Sequence, residues 1–589
     1  MKRTSLLYVL STLMAVLVTM VVSSSAFAQK KNINVVGSVI DAEGQPVIGA
    51  TIMVQGAQKG TMSDNDGRYA LSNVPSDGKL LFTCIGYQDL VKEVNGQTSI
   101  SAILYEDKET LEEAVAVAFG TQKKESVVAS VTSISPEALK APTSNLTTTL
   151  AGNVAGIISF QRSGEPGSDD ASFFVRGVTT FGNNKNPLIL IDNIELTTTD
   201  LARLSTDDIE SFSIMKDATA TALYGSRAAN GVILVKTKEG RQGRAKVNLR
   251  YEHAISAPTQ EVELEDDPQV YMTLHNEALR SRDASATALY SDLKIRNTDK
   301  NNPTYEYPYT NWHDLMLKKY AQNDRANLNV SGGGNVARYY VAASVKHDTG
   351  ILNNSGTNNY NNNIDLTTYT MRSNVNVDIT KSTELTIRLS GTFDDYQGPI
   401  SGGSATYEQI MAANPVLFPA YYPSEVIPYA QHVLYGNYDG DYLNPYALMT
   451  RGYKEYGRSN MGAQFELKQD FDFITEGLSA RAMINTNRIA YYEMSRYCVP
   501  FYYQYTSMGS DGIPNIECIN PTTGTDYLEY SAGDKTITTS TYIEAAVNYA
   551  RDFGKHNTSG MLVYQLTDKK QPNASTLQGS LPYRNVGLS

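Results

Sequence analysis

Pro187-Leu188-Ile189-Leu190-Ile191-Asp192-Asn193 is the stretch whose reading decides the fold, together with Ile209 to Met215 and Gly231-Val232-Ile233-Leu234-Val235 downstream. Pro187 to Ile191 is an unbroken apolar run, as in a strand buried on both faces. Asp192-Asn193 supplies a tight turn, because both side chains tolerate φ > 0. Ile209 to Met215 reads as a second strand. Lys216 to Tyr224 reads as a short Ala-rich helix stopped by Gly225. Gly231 then opens a β-branched strand, Val232 to Val235. Working outward, Thr149-Leu150-Ala151-Gly152-Asn153-Val154-Ala155-Gly156 and Phe174-Val175-Arg176-Gly177 lie upstream, and a small α/β domain over 125–238 accounts for the whole stretch.

After about Gly240 the pattern changes to strict alternation. Val247-Asn248-Leu249-Arg250-Tyr251 and Val375-Asn376-Val377-Asp378-Ile379 put apolar residues on one face and polar residues on the other. Short turns recur, as at Thr380-Lys381-Ser382-Thr383, Glu476-Gly477 and Asp552-Phe553-Gly554-Lys555. Between the resulting hairpins lie long insertions rich in Tyr, Asn and Pro, such as Asn301 to Tyr309 and Pro415 to Tyr446. An apolar face, a polar face, short turns at one end and long loops at the other describe an antiparallel transmembrane β-barrel. A soluble sandwich shares the apolar face but does not call for the long loops.

Ahead of the α/β domain, Met1 to Ala28 has a basic start, an apolar stretch from Leu6 to Val22 and a small-x-small end at Ala26-Phe27-Ala28, the form of an export signal. Residues 29–105 contain short alternating strands punctuated by turns such as Asp41-Ala42-Glu43-Gly44 and Asp64-Asn65-Asp66-Gly67, which predicts a small all-β sandwich. The second of these turns lacks the terminal Glu of a calcium loop and reads as a hairpin. Residues 106–124 form a charged linker that carries Ala114-Val115-Ala116-Val117-Ala118-Phe119-Gly120. Such a run either adds as a strand to the sheet edge of another protein or packs at home.

These motifs in this order resemble the SusC/RagA family of TonB-linked outer-membrane proteins. The resemblance implies a carboxypeptidase regulatory-like sandwich, a TonB box at Ala114 to Gly120, a plug domain over 125–238, and the N-terminal part of an outer-membrane β-barrel over 239–589. Arg176, Gly177, Asp192, Asn193, Lys216, Asp217, Tyr224, Gly225, Asn230 and Gly231 are the positions that carry the plug motif. Asp192-Asn193 stands where the family usually has aspartate-glycine, and Ala114 and Ala116 where it usually has bulkier β-branched residues. Gly182-Asn183-Asn184 marks a plug loop expected to face substrate. Arg176 and Arg227 are expected either in local ion pairs or against acidic groups of the barrel wall. The implied partners are TonB with its inner-membrane energising complex, a SusD-like substrate-binding lipoprotein, an oligosaccharide or peptide substrate, and outer-membrane lipid. A plug-filled barrel of this kind has about 22 strands. At ~9–11 residues per spanning strand, the residues after Lys238 supply only about ten along with their long loops. The sequence therefore reads as the front of a longer protein. It is not expected to transport alone, since an open sheet leaves unpaired edges in lipid.

Composition narrows the alternatives. The net charge of −12 and the lack of a basic stripe argue against a nucleic-acid partner. The 39 Tyr suit surfaces that are half apolar and half wet, and Tyr421-Tyr422 and Tyr502-Tyr503 read either as stacking platforms or as loop filling. No phosphate-binding glycine loop, His-Glu-x-x-His or Gly-x-Ser-x-Gly is present, so no enzyme, cofactor or metal site is expected. Asp169-Asp170, Asp207-Asp208, Asp266-Asp267 and Asp394-Asp395 read as solvated loop charge. Cys84 reads as a core thiol; Cys498 and Cys518 either close a disulfide or stay free. The competing functions are a peptide importer of the same family and a soluble periplasmic or secreted binding module without transport.

Overall fold

The computed structural model describes residues 32–570 and 583–588, apart from 42–45, 48, 56–58, 65, 85–88, 106–113, 118–119, 124–130, 142, 144, 176, 178–184, 217–223, 225–226, 261, 354–357 and 555. The expected export signal, the Gly182-Asn183-Asn184 loop, Arg176, Asp217, Gly225 and most of the Ala-rich helix lie outside the described residues. The chain divides into two compact units, one ending at Ala114 and the other starting at Val115.

The first unit is a sandwich. One sheet pairs Arg68–Pro75, Asn32–Asp41 and Ala102–Leu104 in that order; the other runs Gly60–Met62, Thr51–Val54, Lys79–Thr83, Leu90–Glu93. Alternation sends Val35, Val39, Ile52, Leu80 and Phe82 into a shared core against which Cys84 packs. Tyr69 lays its ring edge-on against Phe82 at 5.6 Å and donates its hydroxyl to Ile100 O at 2.6 Å, so its buried polar end is paired. Asp64 accepts from the backbone N–H groups of Asp66 and Arg68, an Asx-type hairpin closure.

In the second unit, the α/β domain is built on a five-stranded sheet. Its order is Val131–Ile134, Ile209–Met215, Val232–Thr237, Leu188–Ile191, Ile194–Leu196. Leu188–Ile191 runs parallel to Val232–Thr237, and the strands flanking this central pair are antiparallel to it. The apolar run Leu188–Ile191 is buried on both faces, as its sequence requires. Ile189, Ile191, Ile233 and Val235 point to a core with Leu139, Leu150, Leu201 and Phe212. Leu188, Leu190, Val232 and Leu234 point the other way. Asp192 and Asn193 both have φ > 0 (50° and 69°), so the Asp-Asn pair makes the turn expected of it.

The rest of the unit is a ten-stranded antiparallel sheet with its strands in sequence order. They are β1 (Gly243–Ser256), β2 (Ala321–Gly333), β3 (Ala337–Thr349), β4 (Asp365–Thr380), β5 (Thr383–Gly398), β6 (Gly452–Asp470), β7 (Leu478–Tyr497), β8 (Glu529–Phe553), β9 (His556–Lys570) and β10 (Tyr583–Leu588). One face is apolar and exposed, carrying Leu249, Val341, Met371, Phe465, Ile484 and Val547. The opposite face is polar and buried: Asn327 and Asn329 on β2, Thr368, Thr370, Asn374 and Asn376 on β4, Gln464 on β6, Gln565 on β9. This inversion of the ordinary globular pattern is that of a sheet with lipid outside and a polar interior. No helix among the described residues is long and apolar enough to cross a membrane.

One end of the sheet has short turns, with a bond from Asp470 N–H to Ser382 O and one from Ala550 N–H to Gly477 O tying neighbouring turns together. At the other end the long connections fold into helices Pro268–Arg282, Gly403–Ala412 and Pro445–Thr450 and a four-stranded loop sheet, ordered Tyr421–Tyr422, Leu434–Gly436, Tyr502–Met508, Pro514–Cys518. All three cysteines are free thiols, so the Cys498–Cys518 bridge is not formed: Cys518 pairs with Tyr503 in the loop sheet, and Cys498 lies just beyond β7.

Candidate functional site

The α/β domain sits against the polar face of the ten-stranded sheet, and the contact is made largely by charge. Arg203 ends the short helix Thr198–Arg203; its Nε meets Asp394 Oδ2 on β5 at 3.3 Å, with both side chains buried. Thr368 on β4 donates to the other Asp394 oxygen at 2.8 Å. Asp200, three residues earlier, closes the helix's capping box with one oxygen and receives Arg458 and Asn460 of β6 on the other, at 2.9 and 2.6 Å. One carboxylate thus caps a helix and docks it.

The turn is used in the same way. Asp192 accepts from the Thr237 N–H and hydroxyl at 2.9 and 2.8 Å, which ties two plug strands, and faces Arg372 of β4 at 3.5 Å. Asn374 donates to Thr237 Oγ1 and Lys238 O, and Gln464 donates to Asp192 O. Toward the short-turn end, Arg388 of β5 bridges Glu239 at 2.6 Å and Glu466 of β6 at 2.9 Å, while Arg481 of β7 bonds Glu544 of β8. Near β1, Asp207 takes Arg250 at 3.0 Å and Lys140 at 3.4 Å, and Asp208 accepts from the Tyr340 hydroxyl at 2.8 Å. Burial pushes the Asp208 carboxyl above its ordinary range, against the opposing pull of Arg372 and the Tyr340 bond.

Asp207, Asp208 and Asp394 correct the reading of these neighbouring carboxylates as solvated loop charge. Asp394 and Asp395 alternate across β5, so Asp394 is buried toward the α/β domain and Asp395 is on the exposed side. Asp266 and Asp267 fit the original reading: they precede helix Pro268–Arg282, with Asp267 as its N-cap and Asp266 paired to Lys300. A charged residue on the polar side of an alternating strand was the available signal for Arg372, Arg388 and Asp394.

Apolar packing supplies the second contact. The outer face of the plug sheet, through Leu188, Leu190, Val232, Leu234 and Tyr224, lies on Ala546 of β8 and Val563 of β9. Small or β-branched residues at these wall positions let the two sheets approach.

The remaining motif residues hold the domain together. Lys216 donates to Ala155 O beside Gly156, which brings two separated motif segments into contact. Asn230 reaches Asn186 O at 3.5 Å, and Gly231, at φ 91°, packs against Val175 where a Cβ would lie 3.0 Å from it. Gly177 follows strand Ser172–Val175 at φ 98°. Asn193 shares the turn with Asp192. Arg227 pairs with Glu195 at 2.7 Å, the local ion pair, and Lys569 of β9 meets the same carboxylate at 3.7 Å. The seven-residue window Ala114 to Gly120 is split: Ala114–Val117 pairs with Gly120–Lys123 in a two-stranded sheet, and residues 118–119 lie outside the described residues.

At the long-loop end, plug residues Gln161 to Asp169 meet the wall's connections. A cavity of about 900 Å³ opens there, bounded by Arg162 and Asp169 of the plug, Ser256 and Asn323 at the strand ends, and His313 and Lys318 of the β1–β2 connection. Asp169 is raised by burial, partly offset by Arg203, and its Oδ1 has no hydrogen-bond partner among the described residues. Glu165 reaches across to helix Gly403–Ala412, accepting from the Gly403 and Ser404 N–H groups at 2.8 and 2.9 Å and from the Ser404 hydroxyl at 2.9 Å. Among the described residues, no three His, Cys, Asp or Glu side chains converge as a metal ligand set.

The TonB-dependent Receptor Plug Domain model matches residues 123–232, and the CarboxypepD_reg-like domain model matches residues 35–117. The TonB-dependent receptor SusC of Bacteroides thetaiotaomicron is 33% identical over 342 residues, which is 56% of this chain and 32% of that protein. The TonB-dependent receptor P3 of Formosa agariphila is 28% identical over 572 residues, 95% of this chain and 50% of the relative. The RagAB peptide importer in its open-open state superposes with a TM-score of 0.56 at 17% identity, covering 81% of this chain and 53% of that one, a likeness of fold. These matches support a TonB-dependent receptor, with the plug domain over residues 123–232 as their common element. The similarity to SusC points to the SusC/RagA type among them, and the chain spans between about a third and a half of the length of the curated relatives it matches.

Proposed function

We propose that this chain is the plug-bearing portion of an outer-membrane importer that takes up oligosaccharides delivered by a SusD-like lipoprotein, energised by TonB. The observation that carries the reading is the α/β domain docked by ion pairs on the polar face of a sheet whose other face is apolar. Such a plug is held by contacts that are strong while water is excluded and weaken once the domain is displaced and its charges are hydrated. TonB engages the Ala114–Gly120 segment by strand pairing and pulls. The Gly120–Lys123 strand that pairs with Ala114–Val117 here is the contact that TonB would replace. The substrate approaches over Arg162 and Asp169. No bond is made or broken in the substrate; the work is binding and gating.

Deleting Ala114 to Gly120 in the full-length, membrane-assembled protein tests this. Uptake of labelled oligosaccharide is expected to vanish while heat-modifiable barrel mobility on gels is kept. Unchanged uptake would overturn the mechanism. Peptide uptake in place of oligosaccharide uptake would move the substrate class to that of the peptide-importing RagAB, whose fold this chain shares.

A further inference from the structure

Between the loop sheet and Asn358–Tyr360 lies a second cavity, of about 810 Å³, none of whose described lining residues belongs to the plug. Its volume falls in the range that encloses a small ligand (~300–1,000 Å³). One wall is a stacked pair, the His432 imidazole over the Phe501 ring, with centroids 4.0 Å apart and planes 22° apart. The stack is held from behind: His432 Nε2 lies 2.9 Å from the Tyr503 hydroxyl. The floor is wired through Thr450, whose Oγ1 meets the Tyr435 hydroxyl at 2.8 Å and whose carbonyl accepts from Tyr360 at 2.8 Å. Tyr527, 63% exposed, stands at the mouth. Gln431, Asp526 and the Tyr527 hydroxyl make no hydrogen bond to any described residue, so their donors and acceptors are uncommitted.

Flat ring faces beside uncommitted hydroxyl, amide and carboxylate groups match a sugar ring, which has an apolar C–H face and a hydroxyl edge. Among the described residues, no Lys or Arg lines the cavity. Burial lowers His432 below its ordinary value, which keeps the ring neutral at neutral pH. Asp526 is then the one formal charge among the described lining residues. An anionic polymer meets repulsion there, and a peptide carboxyl terminus finds no cation.

We propose that this cavity binds a short segment of a neutral oligosaccharide, with the His432–Phe501 stack and Tyr527 as ring platforms and Asp526 and Gln431 as hydroxyl partners. The inference deepens the import reading and rests on it for the placement of these loops on the outer face of the membrane. It makes the loop sheet a capture point separate from the cavity over the plug.

The test is calorimetric titration of the full-length, detergent-solubilised protein with maltohexaose, mannohexaose and xylohexaose, with hexagalacturonate and a tryptic peptide mixture as comparisons. At least one neutral hexasaccharide is expected to bind, and Tyr527→Ala to weaken it about tenfold, the upper end of what one stacked ring supplies. Asp526→Asn is expected to weaken it severalfold. Both side chains are exposed, so neither substitution should disturb folding. The proposal is overturned if no neutral hexasaccharide binds up to millimolar concentration. It is also overturned if binding is indifferent to both substitutions, or if hexagalacturonate or the peptides bind instead. Solution binding needs no uptake, so a failed import reading and a failed sugar site give different results.

Discussion

Replacing Glu165 by alanine separates the plug's upper loop from the wall's long connection. Helix Gly403–Ala412 begins after Gly402, whose φ is 79° and which has no capping side chain of its own. Glu165 supplies the cap from 238 residues away in sequence, with three acceptor contacts between 2.8 and 2.9 Å. Loss of an N-cap costs roughly 0.5–2 kcal/mol, and loss of a carboxylate from a helix N-terminus roughly 0.3–1. The two effects overlap, so about 1–2 kcal/mol is expected. That corresponds to a roughly 5–30-fold rise in the open population of the helix's first turn. Hydrogen exchange read by mass spectrometry on peptides covering Gly403–Ala412 measures it directly. Glu165→Gln should fall between, since it keeps an acceptor oxygen and loses the charge. Exchange unchanged within twofold in Glu165→Ala, or alanine and glutamine variants that behave alike, would refute the idea that this carboxylate ties plug to loop.

Arg203→Met leaves Asp394 buried without its cation, and the docked plug should lose about 3–5 kcal/mol, read as a lower urea midpoint for protease access to the plug. Arg203→Met with Asp394→Leu should recover most of that loss, because the cost lies in the orphaned charge. Lys294, on helix Asp292–Asn297, is brought down by burial to about 8, so it should react with amine reagents at pH 8 well before ordinary lysines, as peptide mapping would show. Its folded value is depressed, so the loop gains stability as pH rises from about 8 toward the ordinary lysine value near 10.4. Mass-tagging of thiols in denaturant without reductant should label Cys84, Cys498 and Cys518 alike.

Local periodicity made much of this protein legible. Alternation in Val247–Tyr251 and Val375–Ile379, the Asp192-Asn193 turn and the apolar run Leu188–Ile191 each act within a few residues, so sequence alone determined the strands, the α/β domain and an expectation of about ten wall strands. Local pattern also located the long loops, but not the sheet that Tyr421–Tyr422 and Tyr502–Met508 build there. It could not reveal which polar residues of the wall face the plug. Asp394 looked like half of a solvated pair until strand register turned it inward, where it met Arg203, 191 residues earlier. Glu165 carried no motif, because its role is to complete the backbone of another segment. An ion pair or a cap needs two groups within about 3 Å of each other. Sequence specifies each group, but only the packed chain brings the two together.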